Sequence, residues 1–193
     1  MARTASTGFF FRKSLSGRDL PEVLQYRAGN SATLKVGDAV RLNTSGFVVR
    51  ATTSQNVLGF VSGLVNNNGV NPFSLGADTA GATLTPGDQL TTKATNTTDA
   101  TYINCEVVFA LGDQLWYNLA SAALTQAMVG QLFNTTTGGA NQIDQTSNNE
   151  SSGQYQLISL DPDGDGNTSK GLFRVFQGQL GFALGNATAI RVA

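Results

Sequence analysis

The chain of 193 residues contains no histidine. That removes the usual neutral-pH general base, the commonest metal ligand and every catalytic triad built on imidazole, so the chain is read as a non-enzyme. Cysteine occurs once, at Cys105, which excludes an intrachain disulfide, a Cys-rich zinc site and a C-x-x-C redox pair. The flanking Asn104 and Val107-Val108-Phe109 predict a thiol packed in a strand. Charged residues make up 13%, about half the usual share, so ion pairs cannot dominate the surface. Long apolar runs are missing too. None approaches the roughly 18 residues of a membrane span, and Phe9-Phe10-Phe11 is too short for the apolar centre of a secretory signal. The expectation is a soluble protein made in a cytoplasm, with no membrane partner.

Thr (22), Gly (22) and Asn (16) supply 60 of the 193 positions, so hydroxyls, amides and turns replace charges at the surface. With 40% hydrophobic residues, the length suffices for one compact domain or two small ones. Short strand-like runs recur: 32–36, 39–43, 47–51 and 57–61, separated by Gly-Asp, Thr-Ser-Gly and Asn-rich turns. Strands of about five residues between such turns indicate an all-β sandwich or small barrel of short antiparallel strands.

Charge is unevenly spread. Residues 1–50 carry eight basic groups (Arg3, Arg12, Lys13, Arg18, Arg27, Lys35, Arg41, Arg50) against three acidic ones, whereas 51–193 carry four against ten. The N-terminal end is therefore expected to meet something different from the rest, an acidic protein surface being favoured. Nucleic acid is disfavoured, because the basic groups are diluted along strands and form no clustered face.

Three regions follow: an N-terminal arm (1–27), a β-barrel domain (28–147) and a C-terminal β-hairpin segment (148–193). In the arm, Pro21-Glu22-Val23-Leu24 suits a short helical turn. Three adjacent phenylalanines cannot all face one side of a strand, so they need a surface to bury against. That surface is either the chain's own barrel or another subunit. Phe9, Phe10, Phe11, Arg12, Lys13 and Arg18 are the candidate partner-binding residues.

The barrel region contains an echo 75 residues apart. Gly37-Asp38-Ala39-Val40-Arg41-Leu42-Asn43 lines up with Gly112-Asp113-Gln114-Leu115-Trp116-Tyr117-Asn118, and Gly87-Asp88 is a third such start. Gly supplies a left-handed turn and Asp a side-chain cap on nearby N–H groups, so each Gly-Asp is expected to open a hairpin. On this reading the chain holds two Gly-Asp hairpin halves, with the second tip at 119–123 and its return strand starting at 122–124. The succession of these motifs from Val36 to Gly130, including Val57-Leu58-Gly59-Phe60-Val61 and Leu124-Thr125-Gln126, resembles the capsid decoration, or cement, proteins of tailed bacteriophages. The resemblance implies a β-barrel on the outer surface of an assembled phage head, with the major capsid protein as partner. It also implies a homo-oligomer, a trimer first. The alternative function is a virion fibre or adhesion module binding a host receptor or carbohydrate.

Near the C-terminus, residues 155–160 and 171–176 alternate well enough to pair as a hairpin. The loop between them contains Asp161, Asp163 and Asp165 followed by Gly166, which matches the first half of a calcium loop. The twelfth position is Leu172 where a bidentate Glu should stand. A shortened calcium site would use Asp161, Asp163, Asp165 and the Asn167 carbonyl; the competing reading is an exposed turn with no cofactor.

Overall fold

A computed structural model describes residues 8–17, 22–53, 55–69, 83–85, 89–136, 141–149, 152–160 and 166–176. The strands are β1 (Phe10–Ser14), β2 (Val23–Arg27), β3 (Thr33–Lys35), β4 (Ala39–Leu42), β5 (Val48–Arg50), β6 (Gly59–Asn66), β7 (Thr83–Thr85), β8 (Gln89–Thr91), β9 (Ile103–Phe109), β10 (Gln114–Leu119), β11 (Leu132–Thr135), β12 (Ile143–Asn149), β13 (Tyr155–Leu160) and β14 (Lys170–Val175). Helix among the described residues is limited to a 3-10 turn at Gln126–Met128. The chain is all-β, and every ladder between the described strands is antiparallel. The short helical turn expected at 21–24 is absent from Val23 and Leu24, which begin β2; pairing with β9 overrides the local preference.

Three sheets form: β1-β10-β14-β13-β11-β12, β2-β9-β6-β4-β5 and the small β3-β8-β7. Among the described residues no ladder closes either large sheet into a barrel. Each instead curls until a single parallel bridge joins distant strands, Ala28 to Val48 in one and Ala120 to Ile143 in the other. One apolar core lies inside the β2–β9 sheet, with Leu34, Val40, Val61, Leu90, Cys105 and Val107. The second fills the β10–β14 sheet and also takes Phe9, Ala39, Phe60 and Val108, so it cements the two bodies together.

The two sheets are copies of one design. With β1 set aside, the orders β10-β14-β13-β11-β12 and β2-β9-β6-β4-β5 correspond strand for strand, in space and along the chain. The individual bonds correspond as well. Gly29 N–H donates to Val48 O at 2.7 Å and Ser121 N–H to Ile143 O at 2.8 Å. Gly37 N–H donates to Val61 O, and Gly130 N–H to Leu157 O, each at 2.8 Å; both glycines have φ near +90° (87° and 93°). β6 bulges between Val61 and Gly63, and β13 between Leu157 and Ser159. The buried side chains follow the same mapping: Ala28 matches Ala120, Val40 matches Phe133, Val48 matches Ile143, Val107 matches Phe173 and Phe109 matches Val175.

This mapping corrects the expected echo. Gly37-Asp38 opens β4, whereas Gly112-Asp113 opens β10, whose counterpart is β2. The match of Gly37 is Gly130. Gly37-Asp38 does begin a hairpin, β4 with β5. Gly112-Asp113 does not, because β10 lies between β1 and β14 and the next strand begins only at Leu132. Sheet membership also runs across the boundaries expected near 27 and 147: β1, β10 and β13 share one sheet, and the two bodies meet between Ala110 and Gln114. The hairpin at 155–160 and 170–175 is present as β13 and β14.

Candidate interaction surface

β1 is an added strand on the outer edge of β10, with Phe10 opposite Tyr117 and Phe11 opposite Trp116. Its entry depends on two glycines. Phe9 N–H donates to Gly37 O at 2.9 Å, and a Cβ built on Gly37 would stand 2.7 Å from Gly8 Cα, so neither position tolerates a side chain. The close approach drives Phe9 between Phe60 and Tyr155, with ring centroids 4.4 Å and 4.5 Å away. At the far end of the strand, Leu15 N–H donates to Asp113 O at 2.8 Å. The Ser14 and Ser16 hydroxyls both donate to Asp113 Oδ2.

The three phenylalanines therefore have three fates. Phe9 is 2% exposed and belongs to this chain's own core, which corrects its expected place among partner-binding residues. Phe11 is half-buried, edge-on to Trp116 at 5.6 Å. Phe10 faces out at 37% exposure, and Arg12 and Lys13 are exposed beside it. A bulge between Phe11 and Lys13 breaks strict alternation, so neighbouring residues share the outer side. Arg18 lies outside the described residues.

Part of the N-terminal positive charge is spent inside the fold. Arg50 donates to Asp38 Oδ2 through Nε (3.0 Å) and Nη2 (2.7 Å), and Lys35 N–H donates to the same oxygen at 2.8 Å. Asp38 is fully buried; desolvation pushes its carboxyl above the usual range, opposed by Arg50 and the hydrogen bonds. Arg27 donates to the carbonyls of Asn96 and Asp99 and lies 3.7 Å from the centre of the Tyr102 ring. Arg41 donates to Gln55 Oε1 at 2.8 Å. The outward basic character of the described arm rests on Arg12 and Lys13.

For the calcium expectation, Asp161, Asp163 and Asp165 lie outside the described residues. Asn167 shapes the turn into β14: its carbonyl accepts Lys170 N–H at 3.1 Å and its side-chain oxygen accepts Ser169 N–H at 3.0 Å. Among the described residues no group of three His, Cys, Asp or Glu could hold a metal ion.

Sequence reasoning missed a second outward edge. β2 ends the other large sheet, and Val23 (49%) and Leu24 (39%) are exposed on it. The signal was the apolar pair itself, once read as strand. No protein family, curated protein or solved structure matches the chain.

Proposed function

We propose that the protein is a structural virion component that binds the outer surface of an assembled phage head and stabilises it. The observation that carries this reading is the rim formed by β1, where Phe10, Arg12 and Lys13 face outward on a strand already fixed by Phe9 and Asp113. Such a preformed apolar and basic edge suits an acidic, partly apolar surface on the major capsid protein and loses little entropy on docking. Binding only to the assembled lattice stabilises that lattice by mass action, and a homo-oligomer adds avidity. Replacing Phe10 by Ser together with Arg12→Glu and Lys13→Glu is expected to cut occupancy on purified heads at least tenfold while leaving the thermal midpoint of the free protein within a few degrees. Unchanged occupancy would overturn this reading. Binding of the free protein to host cells, with none to heads, would favour a fibre or adhesion role.

A further inference from the structure

The internal duplication makes one edge of the molecule a template for the other. β10 carries an added strand on its outer side; its counterpart β2 carries none among the described residues. We infer that the outer edge of β2 is a strand-addition site, and that its occupant is the β2 of a second copy of this chain, paired antiparallel about a two-fold axis at Gln25.

The backbone groups point the right way. Glu22 O accepts Phe109 N–H at 3.2 Å and Ala28 N–H donates to Ile103 O at 3.0 Å, so the even-numbered residues of this strand bond β9. The N–H and C=O groups of Val23, Gln25 and Arg27 therefore point away from the sheet. On the other body the matching residue of Gln25 is Tyr117, and that is where Phe10 of β1 pairs.

The side chains of the described residues show the same difference between the two edges. Trp116 is 2% exposed, with Phe60 packed on it from the core and Phe11 of β1 edge-on to it. Its counterpart Leu24 is 39% exposed. Antiparallel pairing about Gln25 sets Leu24 of one copy opposite Tyr26 of the other, so an aromatic ring covers Leu24 as Phe11 covers Trp116. Val23 then faces Arg27 and Gln25 faces Gln25, so no like charges stand opposite each other. Between Val23 and Arg27 the strand has no proline, lysine or bulge, and its one charged side chain, Arg27, is turned onto the Asn96 and Asp99 carbonyls. The contact is isologous and short, so association in roughly the micromolar-to-millimolar range is expected. It does not depend on the head-binding reading.

Sedimentation equilibrium of the full chain over about a hundredfold range of concentration tests the pairing, alongside residue-resolved amide exchange. The expected result is a concentration-dependent dimer in which the Val23, Gln25 and Arg27 amides gain protection as it forms. Gln25→Pro removes an outward N–H without removing a β2–β9 bond, and Leu24→Lys leaves the backbone intact. Each should weaken the dimer about tenfold or more. A chain that stays monomeric throughout, or amides that exchange freely at every concentration, would overturn the inference. So would a dimer insensitive to both substitutions but abolished by deleting 177–193. That segment is the competing occupant by sequence, since Gly185-Asn186 and Ile190-Arg191-Val192 repeat Gly29-Asn30 and Leu34-Lys35-Val36.

Discussion

At the residue scale the Asp38–Arg50 pair sets the first body's sharpest dependence on a single side chain. Asp38 Oδ2 accepts from the Arg50 guanidinium and from Lys35 N–H, with the carboxylate fully buried and the Arg50 side chain largely so. Asp38→Ala removes the carboxylate that this amide and the largely buried guanidinium share. A loss of about 3–5 kcal/mol in urea unfolding is expected. The second body has Gln131 at this position, so substitution there should cost far less. Cys105 offers a probe of the same core. Burial, with the Asp38 and Glu106 carboxylates adding to it, pushes its thiol far above the ordinary cysteine range. The folded protein is expected to stay inert to a disulfide reagent even at pH 9, reacting only as fast as it unfolds. Rapid reaction under native conditions would contradict this packing.

At the element scale β1 is fastened by Phe9, the residue just ahead of it. Phe9→Ala removes a ring stacked on Phe60 and Tyr155 and should cost about 3–5 kcal/mol, whereas Phe10→Ala, on the exposed side, should stay within about 0.5 kcal/mol. Equal effects in a denaturation series would contradict the assignment of faces. The strands that were legible in the sequence, among them β4, β5, β13 and β14, have an alternating pattern and a nearby turn. β1 has neither in full: its partner β10 lies about a hundred residues on, and its bulge spoils the alternation. The Asp caps were half legible for a related reason. Asp38 does cap a local N–H, that of Lys35, but Asp113 accepts from Ser14 and Ser16, which no local pattern announces. Context likewise decides between β3 and the 3-10 turn at Gln126–Met128. The two occupy matching places, and only the first has a neighbour, β8, to pair with.

At the scale of the whole molecule, the duplication was hidden because it is written in register and volume instead of identity. Val40 and Val107 with Cys105 fill one core; Phe133 and Phe173 with Gly171 fill the other. Each large ring is balanced by a smaller neighbour, so matching positions rarely share a residue type. A Cβ on Gly171 would stand 2.8 Å from both Leu157 and Phe173. Gly171→Ala alone should therefore destabilise by about 1–3 kcal/mol, and Phe173→Val should relieve part of that loss. A double-mutant cycle is expected to give a coupling of about 1 kcal/mol or more, and strict additivity would contradict the compensation.

The docking of β1 on β10 also fixes an order of events during synthesis. Residues 8–14 leave the ribosome more than a hundred residues before Trp116 and Tyr155, against which Phe11 and Phe9 pack. The first body can close once β9 has emerged, with the leading strand still unplaced. Contacts so distant in sequence form slowly, so β1, though made before its partners, is among the last strands to settle. Until β10 and β13 have been made, the three phenylalanines have no partner surface to bury against, and the nascent chain is prone to aggregate through them.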